Sequence, residues 1–131
     1  MSAAPLPYVP PPLHELESEV MDEVWLHDET TVRDVMRALN ASSSKERAYT
    51  TVMTIMQRLD EKQLLERRRA GKADIYRPRI SREEYLEARA NADVLAVVEQ
   101  YGEQALVHFA RQIDKLDPAR RQRLRRLSRR A

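Results

Sequence analysis

The chain has no cysteine among its 131 residues, which excludes disulfides, thiol nucleophiles and thiolate metal ligands together. Its two glycines are too few for a phosphate-cradling loop. The histidines His14, His27 and His108 are scattered without ligand spacing, so each is expected at the surface or in packing and no metal site is expected. No nucleophile, base and orienting group can be named; neither an enzyme nor a cofactor is expected. No apolar run approaches the roughly 20 residues that span a bilayer, and the N-terminus lacks the basic-then-apolar layout of a secretory signal. The expectation is a soluble, cytoplasmic protein. Aromatics at 5% and charged residues at 34% leave a lean core, while 42% hydrophobic residues is too many for a wholly disordered chain. This length suits one ordinary domain, or a small domain with an oligomerisation appendage that association helps to bury.

What the chain does have is segregated charge. The net charge of +2 divides into −6 over residues 1–44, +6 over 45–82, −4 over 83–116 and +6 over 117–131. A positive field confined to particular elements suits a polyanion such as a phosphate backbone.

Five of the seven prolines lie in the first twelve residues, which predicts an extended, flexible tail over 1–12. Leu13, Leu16, Val20 and Val24 then recur at helical spacing, with Met21 and Trp25 beside them, and predict a first helix ending near His27. Thr31 with Asp34 three residues later opens a second helix from Val32 to about Asn40. After the loop Asn40-Ala41-Ser42-Ser43-Ser44, a third helix from about Tyr49 to Lys62 carries the stripe Val52, Ile55, Met56 and Leu59. The period then changes to that of a two-stranded hairpin with Gly71 and Lys72 at its tip and Pro78 at its end. Three helices and a hairpin is the order of a winged helix-turn-helix, placed over 13–80. The remainder, 81–131, reads as a helical dimerisation domain: a long helix capped by Ser81, a break at Tyr101-Gly102, a helix from Glu103 to Leu116, and a short helix begun by Asp117-Pro118. The fold class is mainly α with a small β-hairpin.

In a helix-turn-helix the second helix of the pair enters the major groove. Here that is the third helix. With its apolar stripe inward, the opposite face presents Tyr49, Thr50, Thr51, Met53, Thr54, Gln57 and Arg58 to bases and phosphates. Arg47, just ahead of the helix, is expected at a phosphate. Of Arg67, Arg68, Lys72 and Arg77 on or beside the wing, alternation lets only part of the set reach DNA, and Arg68, Lys72 and Arg77 are favoured. Tyr76 is expected in the core. The seam Leu106, Phe109, Ile113 and Leu116, extended upstream by Leu95, Val98 and Tyr101, suits pairing with a second copy. For the seven arginines of the C-terminus three roles are open: complementing the end of their own helix, compensating the acidic arm, or touching DNA without sequence preference.

The stretches Leu16-Glu17-Ser18-Glu19-Val20-Met21-Asp22-Glu23-Val24-Trp25, Thr31-Val32-Arg33-Asp34-Val35, Ala48-Tyr49-Thr50-Thr51-Val52-Met53-Thr54 and Ile75-Tyr76-Arg77-Pro78 resemble the BlaI/MecI/CopY family of bacterial repressors. So does the break at Tyr101-Gly102 followed by Ala105-Leu106-Val107-His108-Phe109. The resemblance implies a homodimer that occupies an inverted-repeat operator of double-stranded DNA upstream of resistance genes. In the β-lactam branch it further implies a membrane metalloprotease sensor as partner and cleavage within the dimerisation arm, at the bond that aligns with His108-Phe109. The copper branch uses a C-terminal cysteine pair, which this chain lacks. Members of the β-lactam branch carry lysine and arginine on the recognition helix where Thr50 and Met53 stand here. Two other readings stand beside the repressor: a winged-helix module that binds proteins, and a repressor released by a directly bound effector.

Overall fold

The computed structural model describes residues 9–130. Its elements are α1 (Glu15–Leu26), α2 (Val32–Ser42), α3 (Tyr49–Glu61), β1 (Leu65–Ala70), β2 (Ala73–Pro78), α4 (Arg82–Tyr101), α5 (Glu103–Asp114) and α6 (Pro118–Ser128). The chain forms two compact units, one ending at Ala90 and one beginning at Asn91. No helix among the described residues is long and apolar enough to cross a membrane.

The first unit is built around three amphipathic helices. Their inward positions follow the 3.6-residue period: Val20, Met21 and Val24 on α1, Val32, Val35 and Leu39 on α2, and Val52, Ile55, Met56 and Leu59 on α3. Each such side chain taken from water contributes about 1.5–3 kcal/mol. The helix starts are specified locally. Thr31 Oγ1 accepts from the Asp34 N–H at 3.1 Å, and Ser81 and Glu84 form a reciprocal box, with Oγ accepting from Glu84 N–H at 3.0 Å and Oε1 accepting from Ser81 N–H at 2.9 Å. The end of α3 has no glycine. Gln63 takes the left-handed conformation with φ +64, and the N–H groups of Leu64 and Gln63 return to the carbonyls of Leu59 and Asp60, which is a Schellman closure built on a residue that ordinarily avoids it.

The hairpin turns through Gly71-Lys72, with Gly71 at φ +63, as the first position of a tight primed turn requires. Leu65 pairs with Pro78, Arg67 with Tyr76, and Arg69 with Asp74. Thr30 adds a single bridge on the other side of β2, exchanging both backbone hydrogen bonds with Tyr76 at 2.8 and 2.9 Å. Tyr76 is buried in the core as expected. Burial pushes its phenol pKa up, partly opposed by the neighbouring Arg67 charge.

Two boundaries differ from expectation. The proline-rich segment is not free up to residue 12: Pro10 is fully buried, its carbonyl accepts from Arg89 Nη1 at 3.0 Å, and the Pro11 carbonyl accepts from the Tyr85 hydroxyl at 3.1 Å. The part of the tail before residue 9 lies outside the described residues. The division at residue 80 also moves, because the first turns of α4 pack into the winged-helix unit. Tyr85 is buried there, its ring 5.5 Å from Trp25, whose indole N–H donates to the Ile80 carbonyl at 2.9 Å.

In the second unit Gly102 separates α4 from α5 with φ 62 and ψ −137, a region that side-chain-bearing residues rarely enter. Asp117 caps α6 by accepting from the Arg120 N–H at 2.9 Å, with Pro118 at the first helical position.

Candidate nucleic-acid interface

Side-chain clasps at its two ends fix α3 in the first unit. Glu17, 2% exposed, receives Lys62 Nζ at 2.7 Å and the His14 N–H at 3.1 Å, tying the last turn of α3 to the first of α1. Burial alone would raise this carboxyl's pKa, but the lysine and the backbone donor outweigh it and hold it below the usual glutamate range. At the other end, Asn40 accepts from the Arg47 N–H at 2.7 Å and donates to the Arg47 carbonyl at 3.0 Å. That clasp fixes the approach to α3.

With Val52, Ile55, Met56 and Leu59 turned inward, Thr50, Thr51, Thr54, Gln57 and Arg58 stand on the opposite face of α3, with Tyr49 exposed and Met53 half-buried at its edge. Ala48 gives the first turn no side-chain acceptor, so its leading N–H groups and the positive end of the helix dipole remain available to an anion. The Arg33 guanidinium sits 5.9 Å from the centre of the Tyr49 ring, which brings a cation from α2 to the start of α3.

An open groove of about 380 Å³ runs between these elements and the wing, bounded by Thr31 and Arg33 at the start of α2, Tyr49 and Met53 on α3, and Lys72, Asp74 and Tyr76 on the hairpin. Residues directly opposite in an antiparallel pair share a face. Arg67 and Arg69 therefore lie on the face of Tyr76 and Asp74, the one that lines the groove, with their guanidinium groups 3.9 and 3.5 Å from Asp74. Two arginines against one aspartate leave this face positive.

The sequence-predicted residues divide accordingly. Tyr49, Thr50, Thr51, Met53, Thr54 and Arg58 share α3, and Lys72 joins Tyr49 and Met53 at the groove. Arg68 and Arg77 do not join them. They lie on the opposite face of the hairpin, where Arg68 donates to Glu29 at 2.8 and 3.1 Å and Arg77 to Glu66 at 3.2 and 3.3 Å. The Arg47 side chain, 20% exposed, faces Glu19 on α1 at 3.7 Å. Arg33, which the sequence pattern does not single out, lines the groove, and Arg69 joins Arg67, weighed but not favoured from the sequence, on the hairpin face of Tyr76 and Asp74. For the wing pair a signal exists, since an inward Tyr76 and a two-residue turn already place Arg67 opposite it.

The arm residues are a separate set. Leu95, Tyr101 and Leu106 are 59%, 59% and 51% exposed; Ile113 is also exposed, and Phe109 and Leu116 are half-buried, as is Val98. Val94, Val97 and Val107 add to the exposed apolar surface. His108 and Phe109 lie in the middle of α5. Among the described residues no group of histidines and carboxylates is placed to hold a metal ion.

The chain is similar to several known proteins. The family profile described as "Penicillinase repressor" matches residues 13–130. A protein named "Transcriptional regulator BlaI" from Mycobacterium tuberculosis is 43% identical over 114 residues, spanning 83% of this chain and 80% of its own. The "Penicillinase repressor" of Bacillus licheniformis is 27% identical over 82 residues, spanning 63% of this chain and 62% of its own. Among solved structures, the solution structure of the DNA-binding domain of the repressor BlaI superposes with a TM-score of 0.51 at 27% identity, covering 60% of this chain and 92% of that one.

Proposed function

The chain belongs to the penicillinase repressor family of DNA-binding transcriptional regulators, not of enzymes, and from that premise we propose that it represses as a cytoplasmic homodimer seated on an inverted-repeat operator. The observation that carries the reading is the groove shared by α3 and the wing. Arg33, Lys72 and the uncapped start of α3 border it, the Arg67–Arg69 pair lies on the hairpin face of Tyr76 and Asp74, and α3 exposes a row of threonines. In this reading α3 lies in the major groove. Thr50, Thr51, Thr54 and Met53 meet base edges and thymine methyls, while Arg58 and the wing cations hold phosphates. Arg67, Arg69 and Lys72 take precedence over Arg68 and Arg77, because the former lie on the groove side, where two arginines share one aspartate, whereas Arg68 and Arg77 each have a carboxylate of their own on the opposite face.

The exposed apolar residues of the arm supply the dimer contact, and two copies then present two copies of α3 to half-sites about 34–36 Å apart or a multiple of that. Release by a membrane metalloprotease sensor would bear on the His108-Phe109 bond. That bond lies inside α5, so the helix must open before a protease can reach it. The regulated genes in this reading serve antibiotic resistance of the β-lactam type.

The test is binding of the purified protein to the DNA upstream of its own gene, against a scrambled duplex, at two salt concentrations. Tight, salt-sensitive preference for the upstream fragment is expected. Weak binding with no preference would overturn the autoregulating repressor in favour of a protein-binding winged helix.

A further inference from the structure

The most concentrated charge in the chain lies on α6 and the two residues after it. Seven arginines and one aspartate occupy residues 117–131, and the aspartate is consumed as the cap of the helix. Arg121 is half-buried and donates to the Asp114 carbonyl at 3.1 Å. Arg120, Arg123, Arg125, Arg126, Arg129 and Arg130 are exposed. Within residues 91–130 none of these six is ion-paired with a carboxylate.

Two of the three roles open at the level of sequence do not account for the whole arrangement. Complementing the helix dipole accounts for Arg125, Arg126 and Arg129 at the last turn and C-cap, but not for Arg120 and Arg121 in the first turns, at the positive end. Compensation of the acidic arm calls for arginine–carboxylate contacts, and within residues 91–130 these arginines form no ion pair. The arginines also repel one another at spacings of three and four, as Arg120 does Arg123, Arg121 does Arg125, and Arg126 does Arg129 and Arg130. Only a partner of dense negative charge relieves that repulsion.

At 100° per residue the arginines point to every side of α6. Leu124 and Leu127 form a strip two residues long, with Arg120 falling between them on the helical wheel. A helix polar all round is a poor match for a lipid interface, which takes a broad apolar face. It suits a rod of phosphates, which carries one charge per about 1.7 Å of its length. Duplex DNA is the rod this chain already meets.

We propose that α6 and the residues following it form a second, sequence-indifferent contact with the phosphate backbone of duplex DNA flanking the operator. The proposal rests on the DNA-binding reading and adds to it an element outside the winged helix. Because each copy of a dimer would carry one such helix, the contact extends the footprint without changing what α3 reads.

The test uses the full chain and the variant R123Q/R125Q/R126Q/R129Q, in which glutamine keeps helix propensity close to that of arginine. Affinity is measured across a salt series on a minimal footprinted operator and on the same operator lengthened by about 15 base pairs on each side. The unaltered protein is expected to bind the lengthened duplex more tightly and with a steeper salt slope. The variant is expected to lose that advantage, its slope flattening by about 0.9 for each phosphate it no longer neutralises, while its preference for operator over scrambled DNA is unchanged. An unchanged slope on the lengthened duplex would overturn the proposal. With that slope unchanged, a weakened dimer by sedimentation would reassign α6 to the subunit contact. Loss of co-flotation with phosphatidylglycerol vesicles, again at unchanged slope, would reassign it to a membrane surface. Failure of the unaltered protein on the minimal operator would overturn the DNA-binding reading itself.

Discussion

Lys62 reaches across from the end of α3 to place its ammonium 2.7 Å from the buried carboxylate of Glu17 on α1. The pair holds the recognition helix at the end remote from the Asn40–Arg47 clasp, so the angle of α3 depends on a charge that the core cannot tolerate alone. Lys62→Met leaves Glu17 without its lysine, and the expected loss is about 1–3 kcal/mol, seen as a fall of several degrees in melting temperature.

The same pair sets an acid dependence. Glu17 has a folded pKa below its unfolded one, so its contribution is fully present above the ordinary glutamate value of about 4.3. It is lost as pH falls through the folded value. In Lys62→Met burial is opposed only by His14, so the Glu17 pKa rises relative to that of the unaltered protein, and the variant's deficit is largest near neutrality and narrows towards pH of about 4. Chemical denaturation at a series of pH values checks both directions, and parallel profiles would refute the assignment.

The two faces of the wing give a paired test. Arg67→Ala with Arg69→Ala is expected to weaken operator binding and to flatten the salt slope by about 0.9 per phosphate left unneutralised. Arg68→Ala with Arg77→Ala is expected to change affinity little, since those side chains lie on the face away from the groove and each has its own carboxylate, Glu29 and Glu66, whereas Arg67 and Arg69 share Asp74. Equal losses from both pairs would show that the outer face also meets DNA.

On α3, Thr54→Ala is expected to reorder affinities among operator variants, by about 1–3 kcal/mol at the base pair it reads, in competition binding against a panel of single-base changes. A uniform loss on every sequence would place Thr54 at the backbone instead.

Gly102→Ala meets no atom within 4 Å of its new Cβ, so crowding is not the obstacle. The cost comes from the backbone, φ 62 with ψ −137, and is expected to be about 1–3 kcal/mol. Sedimentation of the variant also reports on the arm: Phe109→Asp should split the proposed dimer outright, whereas Gly102→Ala should weaken it while leaving the winged helix folded by circular dichroism.

The elements whose signals are local are legible in the chain. Thr31, Ser81 and Asp117 mark their helices through caps that need only three residues, and the Val52–Leu59 stripe announces its own buried face. What escapes depends on residues far apart. Nothing near Arg47 shows that Glu19 will claim it, nothing near Arg33 predicts the Tyr49 ring, and the docking of Pro10 and Pro11 requires Tyr85 and Arg89 more than seventy positions later. The end of α3 carries no glycine because Gln63 bears the left-handed turn. The wing arginines are hard to allocate for a different reason. The hairpin itself is plain, but the face of each arginine follows only from the register that sets Arg67 opposite Tyr76, and one step of alternation exchanges Arg67 for Arg68.

Trp25 is the single tryptophan of the chain, and its indole sits against Tyr85 with its N–H on the Ile80 carbonyl. The protein therefore carries an intrinsic optical probe at the root of α4, on none of the surfaces assigned to DNA. Its emission will follow whether that root stays seated, while titration with operator should leave the signal nearly still unless occupancy of the groove is transmitted to the start of the arm.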